Sequence, residues 1–302
     1  MENTPRSNRV YVTRLDHDTA REAFARAAQR YAASLPSACR LISIKVNLCD
    51  YRMADSGATT DPLLLGALID VLRQRYPQAE VLVLENDATS VQAETLFSLL
   101  GIRDAAERHG AKVFNVADDK WVTKPVPDPR ILHELEVPEV LCRSDLFVNF
   151  AKLKTNALTK TTGALKNIFA FYRAKRKVVF HGRIDDVLVD MNKIIRPHIC
   201  LTDGYIGMEG QGPAFGRPKK CGLLVAGVDP VAVDACSSRI MGFNPRFVDH
   251  IRMCHRAGAG EIRFQLDTDI CGFSYRDYRF QYGRLEHIAR AVLRKHVGVG
   301  AG

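Results

Sequence analysis

Four lysines, Lys152, Lys154, Lys160 and Lys166, fall within fifteen residues near the middle of the chain. Between them lie Thr155, Asn156, Thr159, Thr161, Thr162 and Gly163. The apolar run Leu146, Phe147 and Val148 leads into them and predicts a strand that ends at Asn149. A strand that stops in ammonium, amide and hydroxyl groups and then enters a helix makes an anion-binding corner. Open α/β sheets also bind ligands beyond the carboxyl ends of their strands. The lysines alternate with Ala151, Leu153 and Leu165, which sets them apart from a solvated basic tail. Lys152, Lys154 and Lys166 are therefore expected to hold a carboxylate or phosphate, and Asn149, Asn156 and Asn167 to orient it. A buried lysine among other lysines loses proton affinity and can act as base or nucleophile, so Lys154 and Lys166 are also catalytic candidates. His181, fifteen residues beyond Lys166, is the third, as a proton carrier or metal ligand.

Other polar residues stand where strands are expected to end. Lys45 and Asn47 follow an apolar strand over 41–46 and join the substrate-binding set. Glu85, Asn86 and Asp87 follow the strand 81–84, and Asp203 follows 199–202. Taken singly, each reads equally well as a turn former or cap; their shared position at strand ends is the argument for a common crevice. Glu85, Asp87, Asp203 and Glu209 would supply the acid partner or hold a divalent metal, whose identity the sequence leaves open. The glycine-rich stretch 203–216 contains neither GxGxxG nor GxxxxGK[ST], so it carries no nicotinamide dinucleotide fingerprint and no phosphate loop. It reads either as a mobile flap bearing Glu209 or as a structural loop. Asp61 and Asp229 each precede a proline at a helix start and are expected to be caps. Asp234 is expected to form a salt bridge.

These side chains need a scaffold, and the strand–helix–strand rhythm supplies one. It predicts an α/β fold, a mostly parallel sheet covered by helices, with two lobes around a central crevice. The lobes would be 1–125 and 126–302, or a single continuous domain. Residues 117–138 contain Pro125, Pro127, Pro129 and Pro138 and read as a loop or hinge. Helices are expected over 161–173, 184–195 and, with Arg290, Arg294, Lys295 and His296, over 284–296.

A chain of 302 residues with 46% hydrophobic and 25% charged content can bury a large core. Its net charge of +9 favours anionic partners. No basic run is interleaved with aromatics, so a small anionic molecule is expected rather than nucleic acid. The eight cysteines include no CxxC pair, which excludes an iron–sulfur cluster or zinc ribbon built from local ligands. No apolar run is long enough to span a membrane, and the N-terminus lacks a signal-like core. A reducing cytoplasm is the expected compartment. The oligomeric state, substrate and cofactor are left open.

The motifs KVNL (45–48), TTDP (59–62), FVNFAKLKTN with TGALKN (147–167), His181, TDGYIGMEGQGP (202–213) and AGVDPVAVDA (226–235) resemble the domain of unknown function 362 family, in consistent order from about residue 41 to 242. The resemblance implies an α/β fold. Many relatives carry an appended ferredoxin segment; its CxxC-rich part is missing here, so no iron–sulfur role is implied. The family's lysine motif usually continues with histidine where this chain has Asn156. The order of Asn156, Lys166 and His181 is also similar to lactate racemase-like enzymes. There a catalytic histidine, a cofactor-bearing lysine and a metal-binding histidine follow at similar intervals. That likeness implies that Lys166 and His181 mark a cofactor or metal position and that Asn156 replaces one base. The expectation is an enzyme acting on a small carboxylate or phosphate by racemase- or isomerase-like proton or hydride chemistry. The alternative is a non-catalytic binding or electron-transfer accessory protein using the same crevice.

Overall fold

The computed structural model describes residues 7–88, 91–173 and 177–283. The strands are β1 (Arg9–Arg14), β2 (Leu41–Lys45), β3 (Glu80–Glu85), β4 (Lys112–Asn115), β5 (Trp121–Pro125), β6 (Glu134–Pro138), β7 (Leu146–Asn156), β8 (Lys160–Thr161), β9 (Ile199–Glu209), β10 (Arg217–Gly227) and β11 (Gln265–Thr268). The helices are α1 (Ala20–Arg30), α2 (Pro62–Arg75), α3 (Ala93–Leu99), α4 (Ile102–Arg108), α5 (Glu139–Arg143), α6 (Gly163–Asn167), α7 (Ile184–Ile194), α8 (Pro230–Ile240) and α9 (Asp249–Arg256).

One large sheet runs β11-β1-β10-β9-β7-β2-β3-β4, with β8 paired to the end of β7. The pairs from β9 through β7, β2 and β3 to β4 are parallel, as is β1 with β11. β10 is antiparallel to both β1 and β9. This is the mostly parallel α/β sheet that the strand–helix rhythm predicts. Because β1 sits between β10 and β11, early and late parts of the chain share this sheet.

Helices cover both faces, so the central strands are apolar on both. Successive side chains point to opposite faces. Leu146, Val148 and Phe150 of β7 join the core containing Phe24 of α1 and Leu64 and Leu68 of α2, whereas Phe147 packs with Leu188 of α7 and Phe171. Asp61 caps α2 by accepting the Leu63 N–H at 2.9 Å. Asp229 caps α8, accepting from Val231 at 2.8 Å and Ala232 at 3.1 Å.

Four expectations change. β7 continues to Asn156, so Lys152 and Lys154 lie on a strand and not in a loop. They alternate with Ala151 and Leu153 at the strand period, and all eleven residues are buried. The glycine-rich stretch is neither flap nor loop through Glu209: it is the outer half of β9, laddered to β10 from Leu201↔Ala226 to Glu209↔Arg217. Residues 121–125 and 134–138 form the hairpin β5–β6, with prolines at the ends of both strands. The helix expected over 161–173 is only α6 followed by a 3-10 turn at Ile168–Phe171. The expected helix 284–296 lies outside the described residues. Among the described residues, no helix is long and apolar enough to cross a membrane.

Phe150 is fully buried and meets the Phe24 ring edge-on at 5.7 Å. Phe150→Ala should destabilise the protein by about 3–5 kcal/mol, read as a lower denaturant midpoint at unchanged slope.

Candidate functional site

The parallel register sets the carboxyl ends of β2 and β3 beside the inner half of β7, which runs on past them together with β9. Lys45 is level with Leu84 and Asn149, and Lys152 with Asp203. Lys45, Lys152 and Lys154 each retain only 1% of their surface exposure, so three ammonium groups are withdrawn from water. Two have carboxylate partners. Lys45 Nζ lies 2.8 Å from Glu85 Oε1 and donates to the Val46 carbonyl at 2.7 Å. Glu85 also accepts N–H bonds from Leu48 at 3.0 Å and Asn86 at 2.9 Å. Lys152 Nζ donates to Asp203 Oδ2 at 2.8 Å, while Asp203 Oδ1 takes the Tyr205 N–H at 2.9 Å. Burial lowers the proton affinity of Lys45, against the pull of Glu85, and raises that of Asp203, against the pull of Lys152.

Lys154 is different. Its ammonium donates to the Ala58 carbonyl at 2.5 Å and contacts Cys49 Sγ at 3.4 Å. No carboxylate within salt-bridge distance balances it among the described residues. Burial lowers its pKa, and the neighbouring Lys152 adds to the shift. The contact exists because the segment after β2 bends back at Gly57, whose φ is +73°. A Cβ there would fall 2.1 Å from the Gly207 carbonyl oxygen, so only glycine lets this loop lie on β9.

Lys166, on the short α6, keeps part of its surface open to solvent. Its ammonium sits 5.7 Å from the centre of the Phe169 ring. Among the described residues it makes no ion pair or hydrogen bond. Burial first, then repulsion from Lys154, lowers its pKa to about 8. His181 lies in a 3-10 turn at Lys177–Arg183. Burial and the nearby Lys166 charge hold its imidazole below the ordinary histidine value, so it is neutral at pH 7. The two groups sense each other, and neither is engaged elsewhere among the described residues.

Three asparagines form a relay beside them. Asn47 Nδ2 donates to Asn167 Oδ1 at 2.8 Å, Asn167 Nδ2 to Asn149 Oδ1 at 2.8 Å, and Asn149 Nδ2 to the Ala164 carbonyl at 2.9 Å. The remaining oxygen, Asn47 Oδ1, is buried without a partner among the described residues.

The other sequence candidates lie differently. Asn156 turns the β7–β8 hairpin, its Oδ1 accepting from Leu158 at 2.9 Å and Thr159 at 3.1 Å. Lys160 points away, to the Phe247 carbonyl. Asp87 holds the start of α3 through the Ala93 N–H at 2.8 Å and receives Asn115 Nδ2 at 3.0 Å. Glu209 accepts the Gln281 N–H at 2.8 Å and sits near Arg217 and Lys219. Among the described residues, no three His, Cys, Asp or Glu side chains converge as a metal cage. Glu85, Asp87, Asp203 and Glu209 thus do not form one site.

Sequence reasoning missed Cys49 and the Ala58 carbonyl, and it expected a salt bridge from Asp234. Asp234, from α8, makes no salt bridge. It accepts the N–H groups of Ala164 at 2.6 Å and Leu165 at 2.9 Å. It therefore fixes the first turn of α6, and with it Lys166. Gly163 has a φ of +67°, and a Cβ there would lie 2.3 Å from Asp234 Oδ1. The signal available in sequence was the pairing of Gly163 at a helix start with a carboxylate far along the chain, which spacing alone cannot match.

A family model described as a domain of unknown function (DUF362) matches residues 42–239, more than half of the chain. A thylakoid-associated protein, sll1697, of Synechocystis sp. is 29% identical over 150 residues, which cover 46% of this chain and 47% of that protein. The match thus takes in about half of that relative's length. The lactate racemase apoprotein from Thermoanaerobacterium thermosaccharolyticum aligns with a TM-score of 0.46 and 12% identity, over 82% of this chain and 56% of that one.

Two predictions test the electrostatics. The lysine at 166 has a folded pKa of about 8 against an ordinary 10.5, so its protonated form is disfavoured by folding. The stability it contributes is complete above about 10.5 and is lost as pH falls through 8. Compared with Lys166→Met, the wild type should gain melting temperature from pH 8 to 10; parallel curves would remove the argument. Burial pushes the Asp234 carboxyl up to about 7. Its contribution from tighter proton binding is complete below its ordinary 3.8 and is lost as pH rises through 7. Asp234→Ala strands two N–H groups and should cost about 2–4 kcal/mol in chemical denaturation at pH 7.

Proposed function

We propose, for a chain that belongs to the DUF362 family, an enzyme that moves a proton on a small anionic metabolite held where β2 ends beside the outer parts of β7 and β9. One imbalance carries this reading: among the described residues, Lys45 and Lys152 have carboxylates, whereas Lys154 and Lys166 have none. A buried charge without a partner is costly, and a carboxylate or phosphate guest would offset it. In this reading the guest's anionic group lies against Lys154. Asn47 Oδ1 would accept a hydroxyl hydrogen from the same molecule. Lys166 and His181 would stand over the adjacent carbon.

The proton affinities suit those roles. The neutral His181 imidazole takes a proton from carbon, and the Lys166 ammonium returns one. When the reaction runs backwards the roles exchange. Two proton carriers of different residue type support racemase- or isomerase-like chemistry. Asn156, which cannot exchange a proton at neutral pH, takes no acid–base part. No step is routed through a protein-held metal, because the described residues offer no donor set for one. The eight free cysteines support a reducing compartment such as the cytoplasm.

The test is exchange in deuterium oxide. The protein is incubated with a panel of small hydroxy acids, other carboxylates and sugar phosphates, and carbon-bound hydrogen is followed by NMR. We expect exchange with at least one compound. Lys166→Ala and His181→Ala should each lower it by at least a hundredfold with the circular dichroism spectrum unchanged. Saturable binding with no exchange for any compound would instead establish the non-catalytic binding protein.

A further inference from the structure

A second concentration of positive charge lies around α9, built by elements that the lysine site does not use. A surface cavity of 780 Å³ is bounded by α9, by the 3-10 turn Pro245–Phe247 before it and by Glu261–Arg263 after it. Lys160, at the tip of the β7–β8 hairpin, closes one side. Its wall holds two carboxylates: Asp249, paired with Arg252 at 2.8 Å, and Glu261, whose carboxylate lies 2.9 Å from His255 Nδ1. Arg246, Arg256 and Arg263 are exposed on the wall. No ion pair or hydrogen bond engages their guanidinium groups among the described residues. An adjoining cavity of 680 Å³ shares Arg246, Ile262 and Arg263 and adds Arg239.

Three guanidiniums without ion-pair partners among the described residues crowd one concavity; with Lys160 and Arg252 they outnumber its two carboxylates, so the wall carries excess positive charge. Their planar forks match phosphate oxygens two at a time. The size limits the guest. Ligand cavities run to about 300–1,000 Å³, far larger than a single phosphate needs. Phe247, 69% exposed, is the aromatic ring among the lining residues. Phe243, Phe264 and Tyr275 line only the adjoining cavity, and the Arg239 guanidinium already faces the last two, which leaves little free stacking surface for a single-stranded nucleic acid.

We propose that this cavity is a binding site for a small molecule carrying two or more linked phosphate groups. Arg246, Arg256 and Arg263 clasp the phosphates, Ile262 floors the cavity, and Arg252 stays committed to Asp249. The proposal is independent of the chemistry assigned to the lysine site.

Inorganic pyrophosphate is the probe, titrated calorimetrically into the full chain at about 0.15 M salt, where long-range attraction is screened. Saturable binding of one pyrophosphate per chain is expected, at least tenfold tighter than inorganic phosphate. The triple variant Arg246→Ala, Arg256→Ala, Arg263→Ala should weaken it at least tenfold. These exposed side chains lack partners, so melting should confirm an intact fold. Lys166→Ala should leave the affinity unchanged. The proposal fails if uptake does not saturate, if the triple variant binds as the wild type does, or if Lys166→Ala removes binding. It also fails if a single-stranded oligonucleotide displaces pyrophosphate at a lower concentration than tripolyphosphate does.

Discussion

Withdrawing three ammonium groups from water at one end of a sheet is the constraint around which the molecule is organised. The effective penalty is several kcal/mol per buried ion, and attraction offsets it only where geometry and hydrogen bonding are good. Glu85 and Asp203 satisfy that condition because backbone N–H groups hold each of them in addition to the lysine. Those N–H groups belong to residues at the ends of β2 and β3 and on β9, so the strand order itself supplies the counter-charges. β7 must be central, since it carries Lys152 toward β9 and Lys154 toward the loop after β2. What the scaffold does not supply is a carboxylate for Lys154. A carbonyl dipole and a thiol are weak substitutes, and the positive potential that remains is directed at whatever enters.

Lys166 is placed by a different logic. α6 has only five residues and could not hold a rigid position by its own hydrogen bonds. The Asp234 carboxylate supplies the missing acceptors for its first N–H groups, and the absence of a side chain on Gly163 lets that carboxylate approach. Asp234 belongs to α8, whose start is fixed by the Asp229 cap, and Asp229 also holds the Glu261 N–H at 2.7 Å. The position of the ammonium is thus tied to the segment that forms the arginine cavity. α8 is buried along nearly its whole length, so it can act as a fixed post against which α6 is pinned.

The sheet and its polar strand ends were legible because continuous apolar runs and proline-started helices leave strong local patterns. Lys45, Lys152, Lys154 and Lys166, with three of the four candidate asparagines, could be recognised for the same reason: they crowd at the ends of those runs. Three things were not legible. Lysines inside a strand imitate a loop, and the ladder that keeps β7 extended through Asn156 comes from β8 and β9, which its local sequence does not encode. The glycines of 203–212 imitate a flap until β10 is seen beside them. Carboxylates at strand ends look alike in sequence, yet Asp87 is consumed by a helix start and Glu209 by the chain near Gln281. Cys49 could not be found, and Asp234 reads only as a salt-bridge residue, because their partners lie 105 and 70 residues away.

The depressed proton affinities have a consequence for any anionic guest. Lys166 is held near a pKa of 8 partly by Lys154, and His181 is lowered partly by Lys166. These shifts form a chain of repulsions, each link running through a positive charge. An anion seated on Lys154 cancels the first link. Lys166 then keeps its proton to higher pH, and a more fully charged Lys166 presses His181 further toward the neutral form. Binding therefore sharpens the difference between the two groups: Lys166 is more fully protonated, though a weaker acid, and His181 is more fully neutral. By linkage, an anion bound at Lys154 would recover the cost of burying that lysine as affinity, and would set the protonation states that the proposed proton transfer calls for. A crevice with every lysine paired would bind less strongly and would leave Lys166 and His181 as they stood before.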